Sequence, residues 1–494
     1  MNWRARPVQP EHSFEHERFS AFVGGAWIEP DRTFKVQSPI ASSIATEVAD
    51  CGEAEARAAL GAAVAAFAAW RDVSPFERSR ILRAWNDLIL QNKDRIARTI
   101  SMEMGKPVAE ARGEAVYAAA FVEWYAEEAK RIYGETFSSP LTHKRLYALR
   151  QPVGPTYAIT PWNFPAAMAT RKAAPALAAG CPVILKPAEQ SPLTALLLAR
   201  YWQEAGGPPG TLQVLPASDP IPVTKVMIDD PRIRKLTFTG STEVGRMLYQ
   251  QAAKTIKKVS LELGGHAPFL IFEDADVDAA VKEVMASKFR NAGQTCVCVN
   301  RIYVHRTIED DFSRKLSAAV SKLQMGDPLS ESTQIGPLVD KQGADKVRSH
   351  VEDALGKGAK ALVGGKGRDG LFFEPTVLAH VRSGMRILEE ETFGPVAPVI
   401  AFASDEEGLE MANDTPYGLA AYLWTRDLNR AHRISEKLEY GIVGVNDGAP
   451  SAAQAPFGGV KDSGLGREGG PWGLQEFLEI KYVSVSLTPE PYRS

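Results

Sequence analysis

PTYAITPWNFPAAMATRKAAPALAAGCPVILK, residues 155–186, reads as strand, helix, strand. TYAI and PVILK are short, continuous apolar runs, the pattern of strands buried on both faces. The segment between them is built from helix formers and runs to Gly180, a natural helix terminator. A strand–helix–strand unit of this length is the crossover of a parallel sheet. SPLTALLLARYWQEAG then opens a further helix, with Ser191 as the expected N-cap and Pro192 at the first helical position. LQVL, KLTFTG and KKVSLEL follow as strands, the last two separated by a helix beginning near Thr242. A second alternating region starts at APFLIF. In it, DVDAAVKEVMASKFRNAG sets Val277, Val281, Val284, Met285 and Phe289 on one helical face, with Asp276 as cap and Gly293 as stop. The expected fold class is therefore α/β, with doubly wound parallel sheets. Roughly the first 130 residues read mainly as helices. RLYALRQ (145–151) and LEIKYVSVSL (478–487) read as strands that belong to neither region.

A chain of 494 residues has room for about three domains of ~150 residues each. Its 57 basic and 60 acidic residues, net −3, supply no long-range field for nucleic acid or an anionic membrane, and neither partner is expected. The longest uncharged stretch, 151–170, holds Pro152, Pro155, Pro161 and Pro165 and cannot be a membrane span. The N-terminal MNWRARPVQPEHSFEHERF has no apolar signal region. Four cysteines without framework spacing, and no CxxC pair, suggest reduced thiols in a cytoplasmic setting. His12 and His16 have helical i, i+4 spacing but no carboxylate partner, so no metal site is expected.

The chemistry concentrates in FRNAGQTCVCVNR, residues 289–301. Cys296 stands in a loop just past a helix, where a side chain can reach a cleft. Thiolate is the strongest side-chain nucleophile, although a free cysteine alone is more often a small buried hydrophobe. Glu262, in LELGGHAPF, ends a strand one strand and one helix upstream. In apolar, glycine-rich surroundings its pKa should rise toward that of a general base. Alone it reads as a carboxylate closing an edge strand. Asn163 in TPWNFP follows a strand and offers an amide donor to a developing oxyanion, or simply serves the turn beside its prolines. FTGSTEVG puts Gly240, Ser241 and Gly245 at a strand-to-helix turn, where free N–H groups bind phosphate. LKPAEQSP adds Lys186 and Glu189, the latter able to accept from ribose hydroxyls.

Taken together, TPWNFP, LKPAEQSP, FTGSTEVG, LELGG, NAGQTC, EETFGPV and PFGGVKDSGLGRE resemble the aldehyde dehydrogenase superfamily, in order over nearly the whole chain. The resemblance implies a Rossmann-like dinucleotide-binding domain (1–133 and 153–262), a catalytic domain (263–460) and a β oligomerisation arm (134–152 and 476–494). The assembly would be a homodimer or homotetramer. It also implies roles. Cys296 attacks the aldehyde, Asn163 and the Cys296 N–H hold the oxyanion, and Glu262 activates the water that hydrolyses the thioester. Glu391 and Phe393 match the residues that hold nicotinamide ribose and ring. Thr160, Trp162, Lys186, Glu189 and Ser241 match other cofactor contacts. Glu189 favours NAD, with NADP possible because Lys186 is near. His266 replaces the commoner lysine or asparagine after LELGG.

RNAGQTCVC, the 159–180 segment and the C-terminal tail from LEYGIVGVNDGAPS are similar to succinate-semialdehyde dehydrogenases in particular. In that resemblance Arg171, Arg290 and Ser451 match the residues that grip a substrate's distal carboxylate. Glutarate or 2-oxoglutarate semialdehyde would suit the same grip. Cys298 reads first as a packed side chain, and its spacing from Cys296 also permits a reversible regulatory disulfide. A CoA-acylating relative would not need Glu262, and an inactive structural relative would not need the full set Cys296, Glu262 and Asn163.

Overall fold

The computed structural model describes residues 19–40 and 45–487; His12, His16 and residues 488–494 of the expected arm lie outside that range. Five parallel strands form the centre of one sheet, in the order Lys258–Glu262, Lys235–Thr239, Thr156–Ile159, Val183–Lys186, Leu212–Val214. Val183–Lys186 and Lys235–Thr239 are buried at every residue, as continuous apolar strands of a doubly covered sheet must be. Ala21–Val23 and Ala26–Ile28 extend this sheet beyond Leu212–Val214, but its parallel part begins at Thr156–Ile159 and works outward in both directions. The reversal of strand order falls between that strand and Lys235–Thr239, where a crevice opens at their carboxyl ends.

The second sheet runs Lys360–Val363, Thr376–Ala379, Val396–Phe402, Val299–His305, Ala267–Ile271, Ala420–Trp424, Ile442–Val445. All its pairings are parallel except the first. The two strands that fitted neither region pair with each other: Lys144–Pro152 runs antiparallel to Leu478–Ser486 and to Glu135–Phe137 in a separate three-stranded sheet.

Three local expectations fail for identifiable reasons, and one pairing falls where none was made. Before the first helix at Glu53–Trp70 the chain forms strands, Ala21–Val23 with Ala26–Ile28 and Thr33–Gln37 with Ala45–Ala49. Gly24 and Gly25 take φ of +62° and +89° between the first pair, as a tight hairpin turn requires. The helix expected to reach Gly293 ends at Lys288, because Asn291 and Ala292 turn left-handed at φ 51° and 53°. There Glu110 accepts from the Asn291 N–H (2.7 Å) and the Asn291 amide donates to the Asn163 carbonyl (3.1 Å), so tertiary bonds override helix continuation. Ser191 does not cap its helix; its hydroxyl donates to the Trp162 carbonyl at 3.3 Å. The buried carboxylate of Glu103 caps instead, accepting from the N–H groups of Leu193 (2.8 Å) and Thr194 (3.2 Å). Finally, Gly464–Leu465 returns to pair antiparallel with Lys258–Glu262, in a stretch that the expected boundaries left unassigned.

The helix Pro165–Ala179 is buried at every residue, and its small alanines allow the neighbouring helix Val108–Glu128 to lie close. Glu114 of that neighbour accepts from the Ala166 and Ala167 N–H groups at 2.9 and 3.3 Å, capping the helix from outside. Lys106 pairs with Glu114 and also donates to the Asn163 carbonyl at 2.8 Å. Asn163 is thus pinned at the crevice.

Candidate active site

Cys296 borders two cavities. One, of about 400 Å³, is lined by Tyr117, Arg171, Arg290, Ser451 and Phe457 among others. The other, of about 330 Å³, lies toward the crevice of the first sheet and is lined by Trp162, Asn163, Gly240, Ser241, Glu391 and Phe393 among others. Along the backbone of the site, the carboxyl end of strand Lys258–Glu262 meets the loop that enters Val299–His305. The close approach explains the glycine pair of LELGG: a Cβ on Gly265 would lie 2.5 Å from the Cys296 carbonyl oxygen. The Tyr422 hydroxyl donates to the Val297 carbonyl at 2.7 Å and steadies the loop from the second sheet.

The Cys296 thiol is pushed up to about 12 by burial and by the carboxylates of Glu391 and Glu262, with Arg171 and Arg290 pulling it back. Its proton therefore has to be removed before it can act as a nucleophile. Glu262 lines neither cavity and is 3% exposed, and neither of its carboxylate oxygens finds a hydrogen-bond donor among the described residues. Burial and nearby Glu468 hold its pKa well above the usual carboxylate range. A buried carboxyl with no partner is costly, a cost associated with functional groups. Its side chain is also unanchored, with Gly458 leaving room beside Oε1, where an added Cβ would stand at 2.8 Å. The Asn163 side-chain nitrogen donates to the Gln294 carbonyl at 3.1 Å, which leaves its second hydrogen available.

On the crevice side, Ser241 caps the helix Thr242–Ala252, accepting from the Val244 N–H at 3.3 Å. An added Cβ on Gly245 would come within 2.2 Å of Leu263, so this glycine serves close packing of helix on strand. Trp162 and Phe393 meet edge to face at 5.6 Å. Glu391 accepts from the Gly265 N–H at 3.3 Å, and burial raises it to about 7. Thr160, Lys186, Glu189 and Gly245 do not line this cavity. Lys186 lies 3.4 Å from Glu189, which borders a separate open groove. A dinucleotide fits this donor set: an open helix start, an aromatic wall, and Gly264, whose added Cβ would stand 3.2 Å from Glu391 Oε2.

In the larger cavity Arg171 is 2% exposed, stacked 4.2 Å from the Phe457 ring centre and 4.7 Å from that of Phe121. It donates to the Tyr117 hydroxyl at 2.6 Å and lies 3.8 Å from Glu468. Arg290 is exposed at the mouth, over the Phe164 ring at 5.2 Å, with no hydrogen bond or ion pair among the described residues. Ser451 lies 2.6 Å from the Tyr117 hydroxyl. Sequence reasoning missed Tyr117, Lys172 and Glu468. Lys172 Nζ, fully buried, donates to Glu468 at 2.5 Å beside Glu262. A lysine inside an apolar helix, and the glutamate of GLGRE, were the available signals. His266 is fully buried against Tyr417 and held neutral by burial and the Arg301 charge.

All four cysteines are free. Cys298 is buried, and its sulfur accepts from Lys288 Nζ at 3.4 Å and lines neither cavity. This packing predicts that Cys298→Ala will match the wild type in the extent of peroxide inactivation and in recovery with dithiothreitol. A variant that loses recovery would instead establish the Cys296–Cys298 disulfide.

Comparison with known proteins shows the family. The aldehyde dehydrogenase family model matches residues 27–483. The glutarate-semialdehyde dehydrogenase of Pseudomonas putida (strain KT2440) is 52% identical over 95% of this chain and 98% of its own. The NADP-type succinate-semialdehyde dehydrogenase of Escherichia coli K12 is 51% identical over 95% and 98%. The crystal structure of succinate-semialdehyde dehydrogenase from Burkholderia pseudomallei superposes with a TM-score of 0.94 at 49% identity, covering 97% of this chain and 99% of that one. The chain belongs to the aldehyde dehydrogenase family and is an NAD(P)-linked aldehyde dehydrogenase. Among the described residues no helix is long and apolar enough to cross a membrane.

Proposed function

We propose that this enzyme oxidises a semialdehyde bearing a distal carboxylate, succinate semialdehyde foremost, to the dicarboxylate. The observation that carries the reading is Cys296 standing between the two cavities, with Arg171, Arg290 and Ser451 around one and Glu391 and Phe393 around the other. The substrate's carboxylate meets the arginines while its aldehyde carbon lies at the sulfur. The Cys296 thiolate adds to that carbon, and the Asn163 amide with the Cys296 N–H takes the oxyanion. When bound, the nicotinamide supplies the acceptor for the departing hydride. What remains on Cys296 is a thioester. Glu262 takes a proton from water as the water attacks that carbonyl, releasing the acid and the thiol. Lys172 and Glu468, beside Glu262, hold the next charges along.

A cavity of about 400 Å³ also holds the chain one methylene longer, and the glutarate-type relative supports that alternative. A panel of C3 to C6 aldehydes, with and without a terminal carboxylate, tests the reading. The carboxylated C4 or C5 member should give the highest kcat/KM, and an uncharged aldehyde oxidised equally well would refute it.

Nicotinamide, ribose and pyrophosphate would be held by Glu391, Phe393, Trp162, Ser241 and Gly240, with Thr160 and Gly245 shaping the turn. Glu189 would meet the adenosine ribose, where it would accept from the 2′-hydroxyl of NAD and repel the 2′-phosphate of NADP. Lys186, 3.4 Å away, softens the repulsion. A preference for NAD is expected, measured as kcat/KM for the two cofactors at fixed semialdehyde; a ratio favouring NADP would exclude the assignment. The strand Leu478–Ser486, an edge with Ile480 68% and Tyr482 60% exposed, supports the arm as the contact of a homodimer or homotetramer.

A further inference from the structure

The far end of the substrate cavity has a hydrogen-bond arithmetic that the two arginines do not account for. Arg171 Nη2 lies 2.6 Å from the Tyr117 hydroxyl, and a guanidinium can only donate, so Tyr117 accepts this bond. The same hydroxyl is 2.6 Å from Ser451 Oγ. Between the two hydroxyls one O–H is consumed, whichever of them donates. Neither has another partner among the described residues, and both line the cavity. One O–H is therefore left over in every arrangement.

We propose that Tyr117 is a specificity-determining residue: bonded to both Arg171 and Ser451, its hydroxyl turns this end of the cavity into a cluster of donors that takes an anionic, acceptor-only terminus. The inference rests on the carboxylate reading above. Tyr117 has two effects. It holds the buried guanidinium of Arg171 in one orientation, and it fixes the Ser451 hydroxyl beside it while one O–H of the pair stays free for the substrate. Tied to Tyr117, the pair keeps an O–H for the substrate.

Tyr117→Phe keeps the ring, which packs edge to face on Phe121 at 4.9 Å, and removes only the hydroxyl. For this variant kcat/KM with succinate semialdehyde should fall about ten- to a hundredfold. The loss should come through KM, and should exceed the loss for pentanal by about tenfold. A merely structural role would lower both substrates alike. Ser451→Ala provides the second measurement, and the double variant should lose clearly less than the product of the single losses, because the two hydroxyls act as one unit. Equal losses for the two substrates in Tyr117→Phe, or single losses that multiply fully, would overturn the proposal. A wild-type enzyme that does not prefer succinate semialdehyde over pentanal would instead refute the carboxylate reading, so the two failures are separable.

Discussion

Replacing Cys296 by alanine should lower aldehyde oxidation by at least about 10⁴-fold, since no other group bordering both cavities can form the covalent adduct. Cys298→Ala should not, because that sulfur packs against Lys288 and lines neither cavity. The same chemistry fixes the pH dependence. Burial holds the Glu262 carboxyl protonated to well above the usual carboxylate range. Glu262 can accept a proton from water only after losing its own. Thioester hydrolysis should therefore rise with pH through that raised value and level off above it. Glu262→Gln should remove this limb along with most of the turnover. Stopped-flow measurement of hydride transfer and steady-state rates across pH separates the two steps. A Glu262→Gln enzyme with an unchanged profile would remove this residue from the mechanism.

The second large effect concerns the arginines. Arg290→Ala and Arg171→Ala should each reduce kcat/KM for succinate semialdehyde about ten- to a hundredfold, the loss of a charge-assisted hydrogen bond of roughly 1.5–3 kcal/mol. Butanal should be affected far less. Arg290 is the cleaner test, because it is exposed and forms no ion pair among the described residues whose loss could unsettle the fold. Arg171 is stacked between aromatic rings and lies 3.8 Å from Glu468, so its removal also disturbs packing. The difference between the two substrates, rather than the absolute loss, is the readout. Equal losses for both aldehydes would mean that no carboxylate grip exists.

The parallel architecture was legible because its strands are buried on both faces, and a segment such as VILK carries that burial in its composition. The Gly24–Gly25 hairpin carried a turn signal too, but its strands are three residues each, shorter than a periodicity test resolves. Caps supplied from afar left no local trace: Glu103 caps the helix at Pro192 and Glu114 the helix at Pro165. The left-handed turn at Asn291 and Ala292 was hidden for the same reason, since Glu110 and the Asn163 carbonyl hold it. In the site, Cys296, Glu262 and Asn163 stood out as candidates because their chemistry is intrinsic to residue type and motif. Tyr117 could not: a tyrosine on a helix face is ordinary until Ser451, 334 residues on, comes to lie beside it. Lys172 and Glu468 meet across 296 residues.

The proposed mechanism carries a carboxylated acyl group on Cys296 and releases it through Glu262. The most direct measurement is the mass of Glu262→Gln enzyme after exposure to succinate semialdehyde and NAD, followed by peptide mapping. The expected result is one succinyl group per chain, on the peptide containing Cys296, at the position of that sulfur. An unmodified chain after full reduction of NAD, or an adduct on any residue other than Cys296, would contradict it.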